Sequence, residues 1–162
     1  MSLAPDAALR LAFLARVVNR EVVLLQETSG LLFGSVPGGD AAWRLPAGDL
    51  PTSLAERLDA FVARFSRLQD TVGDKLLPAL LAAVAEPVGA AIDNLNRAER
   101  LGWLESVELW RSVRALRNQM IHEYVEDRHA LESALIAARE AVPMLCATAR
   151  RLGDEVARRM RQ

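Results

Sequence analysis

The chain has little of several residue types that mark particular classes of protein. Its 162 residues include one cysteine, Cys146, so no internal disulfide can form and nothing indicates an oxidising compartment. Aromatic residues make up 5% of the chain, and the only histidines are His122 and His129. No apolar stretch approaches the roughly 20 residues of a membrane span, and the first residues lack the pattern of a signal peptide. These absences predict a cytoplasmic protein with no membrane segment.

Net charge is also nearly absent. The formal charge is −1, so the whole molecule exerts no general attraction on nucleic acid, and any such binding has to be local. Positive charge comes from nineteen arginines and a single lysine, Lys75. This preference for arginine is by itself only weak support for a phosphate ligand.

Strong helix formers dominate the composition, chiefly Ala, Leu, Arg and Glu. Hydrophobic residues make up 51% of the chain and charged residues 25%, which is typical of a folded protein rather than a disordered one. A single domain of this length buries about 70% of the surface of its unfolded chain. The sequence therefore predicts an all-α protein in which residues 1–162 form a single domain.

Leucine, phenylalanine and valine recur at helical spacing near the start of the chain and predict a helix from about Asp6 to Glu27. An alternative remains open at its end. The residues Val22–Leu25 and Leu31–Phe33 can instead pair as a short β-hairpin.

The next part of the chain is rich in residues that break regular structure. Residues 35–52 contain six glycines and prolines and predict a long loop. Within it, Gly38-Gly39 lacks the strand-to-helix context of a phosphate cradle, which favours an ordinary connection. Ser53–Glu56 has the spacing of a capping box and predicts the start of the second helix. Gly73 and Pro78 predict a kink or a brief break in that helix.

Three further helices are predicted from their end signals. Pro87 suits the first turn of the third helix, and Ser106 or its neighbour Glu105 suits the start of the fourth. Asp127 is a suitable cap for the fifth helix, which Pro143 is expected to bend rather than end.

The eight residues Arg117–Tyr124 combine an arginine, a histidine and a tyrosine near the predicted end of the fourth helix. The guanidinium of Arg117 is permanently charged and matches phosphate oxygens, whereas the imidazole of His122 titrates near neutral pH and can transfer protons. Both side chains are suited to the cleavage of a phosphodiester. An arginine and a histidine near a helix end also commonly satisfy its last carbonyl groups, which is the structural alternative.

The order within this motif is an arginine, a polar residue, a histidine five positions after the arginine, and a tyrosine two positions later. In a small all-helical chain it resembles the HEPN superfamily, and the ending His122–Tyr124 looks like its HepT-type toxin branch. Arg67–Asp70 and Gly73–Leu76 also resemble that branch, so the likeness covers about the last two thirds of the chain.

The resemblance implies a bundle of four to five antiparallel helices that forms a homodimer, with the paired motifs lining a cleft between protomers. It implies a metal-independent ribonuclease without a cofactor, in which Arg117 and His122 are catalytic and Asn118 supports them. HepT-type toxins are typically encoded beside an MntA-like nucleotidyltransferase antitoxin, which transfers AMP to the motif tyrosine, here Tyr124. The expected partners are therefore an RNA substrate, this antitoxin and a second copy of the chain.

Helical geometry adds a constraint on the motif. Five residues at about 100° each place Arg117 and His122 about 140° apart around the helix and about 7.5 Å apart along its axis. Asn118 and His122, four residues apart, lie on the same face. We therefore expect a second protomer to complete a composite site, rather than the Arg117 side chain to curl round its own helix.

Arg111, Arg114 and Arg117 recur every three residues and predict an RNA-binding ridge, with Arg111 and Arg114 as additional RNA contacts. The alternative is a set of exposed charges that pair with Glu108 and other acids. His129, at a helix start, is predicted to lie on the surface without a chemical role. Three large aromatics are more typical of a core or an interface than of base-stacking platforms, namely Trp43, Trp103 and Trp110.

Two functions of other classes remain open beside the ribonuclease. One is a non-catalytic helical adaptor that docks a nucleotidyltransferase or presents a substrate to it. The other is a purely structural helical dimer.

Overall fold

The computed structural model describes residues 3–34, 43–122 and 127–162, and in these ranges the chain is helical with no β-strand. The helices are α1 (Pro5–Phe33), α2 (Thr52–Asp70), a π-helical segment (Thr71–Leu76), α3 (Leu77–Ala83), α4 (Ala91–Arg100), α5 (Val107–His122) and α6 (Arg128–Met160). Because α2, the π-helical segment and α3 follow one another without a gap, the described residues form five continuous helical units. None of these helices combines the length and hydrophobicity that a membrane crossing requires.

Helix α1 is longer than the sequence predicts and rules out the alternative hairpin. It continues past Glu27 to Phe33, because its apolar residues form one buried stripe at spacings of three and four that includes Leu25 and Leu32. Thr28, on the same stripe, donates its hydroxyl hydrogen to the Leu24 carbonyl 2.8 Å away, so the polar group is satisfied inside the helix. The helix ends at Gly34, which adopts a φ of +86°.

The second helical unit differs from its prediction both at its start, near Ser53, and at the expected interruption near Gly73 and Pro78. Helix α2 begins at Thr52 directly after Pro51, and no side chain caps it, so the predicted capping box at Ser53 is wrong. Around Gly73 the helix widens instead of breaking, and Pro78 lies in the helix that follows. In the π-helical segment the Leu77 N–H donates to the Val72 carbonyl, five residues back, and α3 then starts with Pro78 in its first turn.

The start of α4 is fixed by hydrogen bonds from the Asn94 side chain, and no proline lies in its first turn. Pro87 lies outside the helix, which begins at Ala91, so its predicted place in the first turn is wrong. The side-chain amide of Asn94 forms hydrogen bonds with both backbone polar groups of Gly89. Its Oδ1 accepts from the Gly89 N–H at 3.0 Å, and its Nδ2 donates to the Gly89 carbonyl at 3.1 Å. The paired bonds fix the entry to α4.

The starts of the last two helices follow their predictions. The Ser106 hydroxyl accepts from the Leu109 N–H at 3.2 Å, which confirms Ser106 as the cap of α5. The Asp127 carboxylate accepts from the Ala130 N–H at 3.0 Å, which confirms it as the cap of α6. Helix α6 then passes through Pro143 without ending.

The core lies between α1, α2 and α6, and α5 packs against α6. Trp103 and Trp110 are buried in it, as predicted. Cys146 is buried as well, and desolvation raises the pKa of its thiol to about 11, so the group stays protonated at neutral pH.

Residues 43–51, the described part of the predicted loop that precedes α2, contain no helix, and hydrogen bonds join them to α1 and α6. The Trp43 indole donates to the Leu32 carbonyl at 3.0 Å, and the Leu45 N–H donates to the Glu132 carboxylate at 2.8 Å. Arg128 donates to the carbonyls of Pro46 and Gly48. Gly38-Gly39 lies outside the described residues.

Candidate phosphate-binding site on helix α5

Helix α5 places its arginines beside the core, because its apolar residues define one inner face. Trp110, Val113 and Met120 are buried against the rest of the protein. Arg114 and Arg117 flank this face and are half-buried, whereas Asn118 is fully on the exposed side. The local pattern thus directs two guanidinium groups toward α2 and the π-helical segment.

Two carboxylates receive these arginines. Nη1 of Arg117 lies 2.5 Å from Oδ1 of Asp70, at the end of α2. Nη2 of Arg114 lies 3.8 Å from the same oxygen and 3.5 Å from Oδ2 of Asp74 in the π-helical segment. The acids that pair with these arginines therefore come from another helical unit, and the pairs fasten α5 to it.

Around these pairs lies an open depression of about 600 Å³, here called the polar cleft. Its lining residues come from α2, the π-helical segment and α5, namely Ala63, Ser66, Arg67, Asp70, Thr71, Asp74, Lys75, Arg114 and Arg117. Four of them are cationic and two are acidic, so the lining carries two positive charges in excess although the whole chain carries −1. An anion in the cleft therefore meets local positive charge, which Glu21 offsets in part because its carboxylate interacts with Arg67 and Lys75.

Asp70 does not satisfy the whole guanidinium of Arg117. Among the described residues, the buried Nε of Arg117 and the buried hydroxyl oxygen of Ser66 have no hydrogen-bond partner. An arginine presents five N–H donors, and its fork suits two oxygens of one phosphate. Arg117 therefore retains donor capacity beyond its ion pair.

Helix α1 contributes a half-buried acid, Glu21, next to this site. The Thr71 hydroxyl donates to Oε1 of Glu21 at 3.0 Å. Burial raises the pKa of Glu21, and the hydrogen bond from Thr71 opposes that rise. Glu21 links α1 to the π-helical segment just behind the cleft.

A second depression of about 460 Å³, here called the apolar groove, adjoins the polar cleft. It is lined by Gly73, Asp74, Ala91, Ile92, Leu95, Trp110, Arg111 and Arg114. Asp74 and Arg114 line both depressions and form the wall between them. The three arginines of the predicted ridge are thus divided, with Arg111 at the groove, Arg117 in the cleft and Arg114 at both.

Gly73 allows the π-helical segment to lie close to α5. A Cβ atom at this position would lie 3.1 Å from Cζ2 of Trp110, closer than ordinary van der Waals contact. The carbonyl of Trp110 accepts from the buried Gln69 amide at 3.4 Å. The floor of the apolar groove is therefore set by direct packing between the two elements.

Part of the predicted site, the side chains of His122 and Tyr124, lies outside the residues that the structure describes. His122 is the last residue of α5, but its side chain is outside the described residues, and so is Tyr124. The described part shows Arg117 turned into the cleft and Asn118 exposed, one residue later. His129 is exposed at the start of α6.

Sequence reasoning did not assign any role to Asp70, Asp74, Arg67 or Lys75. A signal was present, because Asp70 and Asp74 are four residues apart and their arginine partners three apart, each spacing placing both groups on one side of a helix. Only the fold shows that these two sides face each other.

Among the described residues, no group of three or more His, Cys, Asp or Glu side chains is arranged to hold a metal ion. Comparisons of the chain with protein-family models, with curated proteins and with solved structures find no match. The chemistry of the site itself is therefore the basis for its function.

Proposed function

We propose that this chain is a HepT-type member of the HEPN superfamily, a dimeric ribonuclease toxin that an MntA-like nucleotidyltransferase neutralises. The observation that carries the proposal is the polar cleft, in which Arg117 and Arg114 stand among an excess of positive charge. The helix that supplies both arginines ends at His122. A phosphate-binding group and a residue able to transfer a proton thus belong to one short stretch of chain.

In the proposed reaction the ribose 2′-oxygen attacks the adjacent phosphorus atom and the bond from phosphorus to the 5′-oxygen breaks. His122 removes the proton from the 2′-hydroxyl or delivers one to the leaving 5′-oxygen. Arg117 stabilises the charge that develops on the non-bridging oxygens. The products are a 2′,3′-cyclic phosphate and a 5′-hydroxyl, so a chain without 2′-hydroxyls is not cleaved.

Asp70 acts as a positioning residue in this scheme. Its carboxylate lies 2.5 Å from Nη1 of Arg117 and keeps the side chain in the cleft when no phosphate is bound. Holding a long arginine in place lowers the conformational entropy that it loses when the substrate arrives.

A second copy of the chain completes the proposed site. Arg117 faces the cleft of its own protomer, while helical periodicity directs position 122 about 140° away around α5. In the proposed dimer, Arg117 of one protomer and His122 of the other act on the same linkage.

The first test is cleavage by the unmodified protein in the presence of a chelator. We expect a single-stranded RNA to be cut into fragments with 2′,3′-cyclic phosphate ends, identified by mass spectrometry. A DNA of the same sequence and a 2′-O-methyl RNA serve as controls and are expected to remain intact. Cleavage of either control, or fragments that end in a 5′-phosphate, would reject the proposed chemistry.

Modification of Tyr124 is the second test. Co-expression with its nucleotidyltransferase is expected to add one or more AMP groups to Tyr124 and to abolish RNA cleavage, because the added phosphates are anionic and sit beside the motif. Intact-mass and peptide mass spectrometry measure the addition. Tyr124→Phe should stay active in the presence of the transferase. An unmodified Tyr124 beside a transferase shown to be active on another substrate contradicts this part of the proposal.

A non-catalytic adaptor for the nucleotidyltransferase is the second candidate, because the Arg117–Asp70 pair is also compatible with an arginine that has no catalytic role. That pair fastens α5 to α2, which is also what a purely structural arginine does. Growth arrest on expression separates the two functions. Arrest that His122→Ala relieves supports the ribonuclease, whereas full growth with the wild-type chain and retained transferase binding supports the adaptor.

A further inference from the structure

We infer that the apolar groove receives the base of a nucleotide whose phosphate lies in the polar cleft. The inference rests on the proposed function, because it names how an RNA strand occupies that same site. It also assigns a role to Ile92, Leu95 and Arg111, which the proposed reaction does not use.

The position of the groove supports this assignment. Arg114 and Asp74 line both depressions, so a ligand can lie in the two of them at once. A nucleotide has a matching division, with a flat and largely apolar base at one end and an anionic phosphate at the other. The groove, at about 460 Å³, is within the size range of small-molecule sites.

The lining of the groove also matches a base better than another phosphate. Ile92 and Leu95 give it aliphatic surface, and Ile92 is 42% exposed. Trp110 is only 2% exposed, so it closes the floor without offering a ring face for stacking. The base therefore packs on aliphatic side chains.

Charge decides between a nucleic acid and an apolar protein segment as the occupant. The groove carries Arg111 and Arg114 against one carboxylate, Asp74. The polar cleft beside it has two positive charges in excess. A strand with one phosphate on each side of the seated base is attracted at both, whereas a neutral apolar helix gains nothing from these cations.

The strand must be single-stranded for this binding mode. A base that enters the groove has lost its stacking and pairing partners, which paired RNA does not allow without melting. The proposed site therefore favours loops and unpaired ends.

The test compares two fluorescein-labelled 2′-O-methyl RNA hexamers, one with all of its bases and one with abasic sites at the central positions. Neither can be cleaved, so binding is measured by fluorescence anisotropy independently of catalysis. We expect the wild-type protein in chelator to bind the abasic strand about tenfold more weakly, because the apolar surface that the base buries in the groove is lost.

Ile92→Gln should remove this difference, because it replaces the exposed aliphatic surface without changing the charge. Leu31→Gln is the matched control, since Leu31 is 67% exposed on α1 and lines neither depression. The control should keep the tenfold difference between the two strands.

Three outcomes would overturn the inference. The first is equal affinity of the wild type for both strands. The second is an Ile92→Gln variant that keeps the full difference in affinity between the strands. The third is an Ile92→Gln variant whose only change is its oligomeric state, measured by analytical ultracentrifugation. The last would assign the groove to a protein interface. Base-dependent binding by a chain that cuts no RNA would leave this inference standing and reject the ribonuclease.

Discussion

Arg117→Ala is expected to slow RNA cleavage by about 100- to 1,000-fold, the loss that follows removal of one transition-state donor in other enzymes. Among the described residues Arg117 is the cation closest to Asp70, and Arg114 lies 3.8 Å from the same oxygen, too far to take over the position of the Arg117 fork. Arg117→Lys keeps the charge but not the paired donors, and we expect it to recover only a small part of the rate. Single-turnover cleavage in chelator measures the effect.

His122→Ala is expected to slow the same reaction by about 100- to 10,000-fold, the range for a general acid or base. Arg151→Ala is the control for both variants, because Arg151 is an exposed arginine on α6 outside the cleft. Unchanged rates in Arg117→Ala and His122→Ala would reject the catalytic assignment. Mixing the two inactive variants tests the composite site, because hybrid dimers should regain one complete Arg117 and His122 pair.

Trp110→Ala is expected to lower the free energy of unfolding by about 3–5 kcal/mol, the usual cost of truncating a fully buried aromatic. The indole is 2% exposed and packs directly on Gly73, so its removal leaves a void between α5 and the π-helical segment. Urea unfolding followed by circular dichroism measures the loss.

A helical glycine elsewhere gives a contrasting control. A Cβ at Gly30 in α1 would meet nothing within 4 Å, so Gly30→Ala should stabilise the protein by up to about 1 kcal/mol. At Gly73 the added methyl group would crowd Trp110. Gly73→Ala should therefore cost less in the Trp110→Ala background than in the wild type, a coupling that a double-mutant cycle detects. Equal unfolding midpoints of Trp110→Ala and the wild type would contradict this account.

The helix starts show which parts of the fold the sequence predicts well. Ser106 and Asp127 act as predicted, because an N-terminal cap depends on a side chain and a backbone N–H only two or three residues away. The same reasoning was wrong at Ser53, where the helix already begins at Thr52 behind Pro51. The wide turns around Gly73 were also missed, because their place depends on how closely Trp110 approaches from another helix.

The site was predicted in the same uneven way. Arg114 and Arg117 both reach acids of the neighbouring helical unit, which agrees with the alternative that the arginines pair with carboxylates, and the RNA-binding ridge stays a prediction. Their pairing with Asp70 was not predictable, since Arg117 and Asp70 are 47 residues apart in sequence and meet only through the fold. The roles of His122 and Tyr124 stay predictions.

The ion pair between Arg117 and Asp70 has a consequence for how the protein responds to salt. Free arginines gather mobile counterions, and their release when a phosphate binds makes affinity fall steeply with ionic strength. Arg117 already has a tethered carboxylate 2.5 Å away in place of such ions. A phosphate that binds Arg117 thus displaces the carboxylate of Asp70, which stays attached to the protein, and fewer mobile ions are released into solution. We therefore expect the affinity for RNA to depend on salt less than the number of arginines in the cleft implies.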